Sequence, residues 1–266
     1  MREFGIFAVR QAQCAQFALF VFAAAAVAPF VPIGRYDFLL IACLGYQAYL
    51  VASHQETGRE LLALCGFHLV GLALEIYKVR HGSWQYPWPS ETVVAGVPLF
   101  SGFMYAAVAS YMLQAWKRFS LRFTGWPPFG WVALVGLAIY ANFFFNRLLP
   151  DIRWIIAGLG LLVFWRTRVE FRVDREWSMS FALAMTLIGF FVYLAENLCT
   201  YLALYVYPHQ SEAWSFVGLG KLSSWILLST VSVLILAAAK RTTVFRQPAM
   251  PGAARLGPLQ PLVATE

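Results

Sequence analysis

Long charge-free stretches limit what this chain can fold into. Residues 11–34 hold no Asp, Glu, Lys or Arg, and neither do residues 92–116 or 123–146. A helix needs roughly 20 mostly apolar residues to cross a bilayer. Only 12% of the residues are charged and 60% are hydrophobic, about half the charge of an ordinary soluble domain. The expected fold is therefore all-α: a polytopic transmembrane helix bundle whose first partner is the lipid bilayer.

Eight spans are expected, near 12–32, 37–53, 59–78, 93–116, 129–147, 150–168, 178–206 and 221–240. Seven remain if the second or sixth is re-entrant. Pro98 should kink the fourth. Pro150 would open the sixth, with Asp151 in its first turn. The seventh, at roughly 43 Å, would have to tilt or protrude. With the N-terminus inside, cytoplasmic segments hold fourteen Lys or Arg and the outer loops six, which puts both termini in the cytoplasm. The bundle covers residues 1–246. The Pro-, Ala- and Gly-rich residues 247–266 read as a disordered cytoplasmic tail.

The net charge of +7 does not point to nucleic acid, because the basic residues flank apolar segments as topology signals do. Cys14, Cys43, Cys65 and Cys199 all fall inside apolar segments and form no CxxC pair, so they read as buried hydrophobes. The apolar run 15–32 is too long for a signal-peptide core and counts as a retained span. No internal repeat, nucleotide-binding glycine loop or soluble domain stands out.

Charges at membrane depth need partners or protonation, and such residues mark functional sites by default. Glu196 is isolated between Glu176 and Glu212. The third span carries His68 and Glu75 on one face, with Lys78 three residues beyond Glu75 and in pairing reach. Ser101 and Tyr105 share a face of the fourth span, Asn142 and Asn146 a face of the fifth. Asn197 and Thr200 lie beside Glu196, and Lys221, Ser224 and Trp225 open the eighth. On the expected topology these groups share the outer half of the bundle, which predicts one outward-facing polar pocket. Trp84 and Tyr86 sit in a ring-rich outer loop that suits a lid, answered by Tyr207, His209 and Trp214 in another.

Each of these residues also has a structural reading, as an interhelical hydrogen bonder or a snorkelling lysine. No HxxxH pattern, GxSxG elbow or third ligand for His209 and Glu212 occurs, so neither a metal nor a cofactor is expected. The chemistry left is acid/base work by Glu196 with Glu75 as its partner. Lys78, Asn142 and Lys221 would orient an apolar ligand, a lipid or isoprenoid. The rivals are a small-solute transporter and a structural or assembly subunit. Oligomeric state is left open.

Several motifs resemble one bacterial family. These are Lys78-x-x-x-Gly82-Ser83-Trp84-x-Tyr86-Pro87, Val97-Pro98-Leu99-Phe100-Ser101-Gly102-Phe103-Met104-Tyr105, Ala195-Glu196-Asn197-x-x-Thr200, Tyr207-Pro208-x-Gln210 and Lys221-x-x-Ser224-Trp225. Together, over about residues 60–240, they are similar to domain of unknown function number 817. The resemblance implies a multi-span bacterial inner-membrane protein and little about activity. Relatives tend to carry histidines after their Asn-Phe-Phe motif, where this chain has Phe145-Asn146-Arg147. A metal or proton relay is therefore not expected there. A looser, fold-level likeness is to carotenoid cyclases and hydratases, which also set carboxylates in a helix bundle.

Overall fold

A computed structural model describes residues 2–145 and 150–241. The expected tail at 247–266, Asn146 and Arg147 lie outside the described residues. The chain is mostly helical. In order it forms α1 (Arg2–Cys14), α2 (Gln16–Val27), α3 (Arg35–Ala52), α4 (Gly58–Arg80), strands β1 (Val93–Val94) and β2 (Val97–Pro98), α5 (Ser101–Arg118), β3 (Arg122–Thr124), α6 (Phe129–Phe145), α7 (Arg153–Val163), β4 (Arg168–Arg172), β5 (Glu176–Ser180), α8 (Phe181–Tyr201) and α9 (Gly220–Arg241). Among the described residues, α4, α8 and the Gly220–Ala237 part of α9 are each long and apolar enough to cross a membrane.

Several expected boundaries move, each for a local reason. The first span is a bent pair, α1 and α2, meeting at 63° around Ala15. The fourth does not kink at Pro98. Residues 93–98 form an antiparallel hairpin with Val94 opposite Val97, turned by Ala95 and Gly96 at positive φ. Pro98 ends that hairpin and α5 starts at Ser101. The sixth is an 11-residue helix beginning at Arg153, about half a bilayer thickness. Asp151 lies ahead of it and accepts from the Arg153 amide at 3.1 Å. The seventh has 21 residues, because Glu176–Ser180 is a strand. At roughly 32 Å it fits a bilayer untilted. Two small sheets, the hairpin and the antiparallel β3-β4-β5, replace the all-helical expectation.

Caps fix where α4 and α8 begin. Thr57 Oγ1 accepts from the Glu60 amide while the Glu60 carboxylate accepts from the Thr57 amide, a capping box that opens α4. Ser180 Oγ accepts from the Leu183 amide and opens α8. The packing then falls into two similar halves. Helix α2 packs on α3 and α5, and α4 packs on α5. Likewise α6 packs on α7 and α9, and α8 on α9. One end of the bundle gathers basic residues: Arg10 donates to the Arg172 and Val173 carbonyls, Arg118 to Gln13 and Gln55, and Lys117 pairs with Glu60. The opposite end holds Glu75 and Glu196.

Candidate functional site

Helices α4 and α8 each present a glutamate five residues before the C-terminus, Glu75 on α4 and Glu196 on α8. That puts both about 7–8 Å from their helix ends. A seventh span running to residue 206 would put Glu196 about 15 Å below its end, twice that. Both carboxylates are buried. Buried carboxylates need hydrogen-bond donors, and aromatic side chains supply them. Glu75 accepts from Trp84 Nε1 at 2.6 Å and Tyr86 Oη at 2.7 Å on one oxygen, and from Tyr105 Oη at 2.7 Å on the other. Glu196 accepts from Tyr207 Oη at 2.5 Å and from Trp225 Nε1 at 2.7 Å.

These two clamps repeat one another in detail. Tyr86-Pro87 follows Glu75 by the same interval at which Tyr207-Pro208 follows Glu196. Both helices stop in the same way, on a left-handed residue seven positions after the glutamate: Gly82 at φ 64° and Ala203 at φ 51°. In each, the next amide reaches back to a carbonyl three residues past the glutamate, Ser83 to Lys78 at 3.0 Å and Leu204 to Cys199 at 2.9 Å. Two residues further on, the two loops meet. Gln85 and Val206, at matching positions, exchange reciprocal backbone hydrogen bonds of 3.0 and 2.9 Å. Equivalent residues pairing with each other in this way mark a local two-fold axis. No internal repeat stands out in the amino-acid sequence. The structure has one, from the ends of α4 and α8 through the following loops.

In extended backbone, alternate side chains share a face. Trp84 with Tyr86 and Tyr205 with Tyr207 therefore present four rings on one side of the bridge, with centroids 5.9–6.4 Å apart for the contacting pairs. Close helix approach completes each clamp. A Cβ on Gly71, one turn before Glu75, would come within 2.5 Å of the Tyr105 ring. A Cβ on Gly189 would come within 2.8 Å of the Ile226 backbone, next to Trp225. Burial, followed by the charge of the facing glutamate, pushes the Tyr86 and Tyr207 phenols well above the ordinary tyrosine range. Both therefore remain donors.

Lys221 stands between the clamps. Its ammonium lies 5.6 Å from the Trp84 ring centre and 4.7 Å from that of Tyr207, with no hydrogen bond or ion pair among the described residues. Beneath these groups runs a cleft of about 880 Å³. Glu75, Trp84, Tyr105, Glu196, Tyr205, Tyr207, Lys221 and Trp225 line one end of it. Apolar residues of α1, α2, α5, α8 and α9 continue it toward Phe119 and Phe171.

The other sequence-predicted residues do not line this cleft. Lys78 does not pair with Glu75. It donates to the Phe143 carbonyl at 2.7 Å and lies over the Phe143 ring. Asn142 is held at the α6–α7 connection by Asp151 and the Ile152 amide. Asn197 accepts from the Val217 amide, and Thr200 accepts from Trp214 Nε1 and Gln210 Nε2, so both anchor the loop before α9. Ser101 is fully buried and its hydroxyl has no partner among the described residues. His68 packs edge-on against Phe103. Tyr207 and Tyr205 were missed as site residues. The repeated Glu-x10-Tyr-Pro spacing is the signal that could have found Tyr207. No group of three metal-ligating side chains occurs among the described residues.

Taken together, these features define a mostly helical, membrane-associated protein with duplicated glutamate clamps at one end of an apolar cleft. The chain belongs to the family described as protein of unknown function (DUF817), whose model matches residues 3–233. It is 46% identical over 239 residues to the uncharacterized protein YoaT of Bacillus subtilis (strain 168), covering 88% of this chain and 90% of that protein. Among solved structures, a cross-linked MvINS trimer is similar with 13% identity and a TM-score of 0.48, covering 73% of this chain and 98% of that one.

Proposed function

We propose that this is a multi-pass protein of the bacterial inner membrane, with about eight crossings and both termini cytoplasmic, that takes an apolar or amphiphilic small molecule into its cleft. The observation that carries the reading is the cleft itself. At about 880 Å³ it lies within the usual size range of small-molecule sites, and its walls are apolar with a few convergent polar groups at one end. The clustering of Arg10, Lys117 and Arg118 at the opposite end agrees with a cytoplasmic face there and an outward-facing site.

Glu196 is the proposed acid or base. It accepts two hydrogen bonds where Glu75 accepts three, so it keeps more free acceptor capacity for a ligand hydroxyl or an acidic C–H. Glu75 acts as its partner across the axis. Glu196→Gln is expected to fold, because the amide oxygen can accept from Trp225 while the NH2 donates to Tyr207. Solvent extraction of the purified protein should yield a stoichiometric apolar compound, and Glu196→Gln should alter its amount or its chemical form. Wild-type protein free of any such compound, or a Glu196→Gln protein that fails to fold, overturns the proposal.

The doubled clamp favours a second reading, transport. Parallel repeats about an axis along the membrane normal are one architecture of alternating-access carriers. Solute uptake into proteoliposomes that depends on Glu196 would establish it.

A further inference from the structure

Resting on the cleft reading above, we propose that the clamp end of the cleft is a cation cage, and that the amphiphile it takes carries an ammonium-type headgroup. Both carboxylates line this end of the cleft. Their oxygens accept from the N–H and O–H groups of Trp84, Tyr86, Tyr105, Tyr207 and Trp225. Beside them the rings of Trp84, Tyr105, Tyr207 and Trp225 face the cleft. An aromatic face carries negative potential and attracts cations. A ring whose N–H or O–H donates to a carboxylate becomes more electron-rich, so each clamp strengthens the negative face it offers.

The chain already holds a cation there. The Lys221 ammonium lies over one ring of each clamp, Trp84 and Tyr207, and makes no hydrogen bond or ion pair among the described residues. An ammonium normally seeks three acceptors. Resting on two ring faces, it marks where a ligand's cationic head would sit. Its four-carbon stem lets it withdraw as a ligand enters. A second, independent observation points the same way. The Tyr205 side chain, 8% exposed, lines the cleft, and its hydroxyl has no hydrogen-bond partner among the described residues. It is a free polar group waiting beside the cage. An anionic head would meet two carboxylates and the negative faces of the rings.

The test uses the full chain in nanodiscs, with empty nanodiscs as the partition control. Decyltrimethylammonium, decyl sulfate and decyl maltoside share one tail, and tetramethylammonium has none. Each is titrated below micelle formation against tryptophan fluorescence. The trimethylammonium amphiphile should bind at least about tenfold more tightly than the sulfate or maltoside. Lys221→Gln, which removes the resident cation, should tighten it further and leave the sulfate unchanged. Equal binding of all three tailed compounds overturns the cation cage and leaves the apolar cleft standing. Absence of binding by any of them overturns the cleft reading as well. Tetramethylammonium binding as tightly as the tailed cation overturns the amphiphile. Weaker binding of the cationic amphiphile to Lys221→Gln overturns the stand-in role of Lys221.

Discussion

The two clamps differ in redundancy, and that difference can be measured. Tyr207 is the only described donor to its Glu196 oxygen. In Tyr207→Phe that oxygen keeps its burial and loses its hydrogen bond, which should cost about 1.5–3 kcal/mol, as for other bonds to charged groups. Tyr86 shares its Glu75 oxygen with Trp84 Nε1 at 2.6 Å. Tyr86→Phe therefore leaves that oxygen satisfied and should cost only about 0.5–1.5 kcal/mol. Thermal unfolding of both variants in the same detergent, at about 2–4 °C per kcal/mol, should rank Tyr207→Phe several degrees lower. A double-mutant cycle sharpens the test. In Glu196→Gln the Tyr207 partner is a neutral amide, so removing the hydroxyl should cost roughly 1 kcal/mol less than in wild type. Equal costs in both backgrounds, or a silent Tyr207→Phe, would refute the clamp as drawn.

Other expectations follow from the same geometry. Gly71→Ala should drive the Tyr105 ring off α4, because the added Cβ would lie within 2.5 Å of it. Circular dichroism should keep its helical signal while stability drops by more than an exposed glycine substitution allows. Gln85→Pro deletes one backbone hydrogen bond to Val206 and should loosen both loops. Gln85→Ala keeps that bond and should be nearly silent, so equal thermal shifts would refute the bridge. Alkaline titration should show Tyr86 and Tyr207 ionising well above free tyrosine, because burial holds both phenols protonated. The unfolded chain loses these protons near pH 10 while the folded chain keeps them. Their stabilising contribution is therefore complete below that pH and lost as pH rises through the folded values. Phenolate absorbance rising entirely in the ordinary range would contradict the buried clamps.

Much of the site was legible because membrane depth is a strict filter. Glu75 and Glu196 are conspicuous in apolar helices, and Lys221 with Trp225 obeys helical spacing, so depth and face were both readable. Depth does not encode the angle around the bundle. Asn142 was expected at the right level and instead serves the α6–α7 connection. Sequence reach between Lys78 and Glu75 was correct, yet the Phe143 carbonyl on α6 competes for the ammonium. Periodicity alone does not separate a short apolar hairpin from a helix end, which is why residues 93–98 read as helix. The positive φ of Ala95 and Gly96 decides that turn, and only Gly96 announces it. The repeat escaped notice because its shared part is geometric. A left-handed turn falls on glycine in one half and alanine in the other, and Trp84 matches Tyr205.

The cleft beneath the two clamps, and not the outer surface of the bundle, is the proposed receptor for a long-chain molecule. Photolabelling in native membranes with a long-chain amine bearing a diazirine in its tail, mapped by peptide mass spectrometry, tests this most directly. The predicted labels fall on cleft-lining Met104, Val108, Ile188 and Val192, and disappear when an unlabelled competitor with the same head is added. Labels confined to exposed Leu62, Leu69, Leu137 and Leu162, unaffected by competitor, would contradict it.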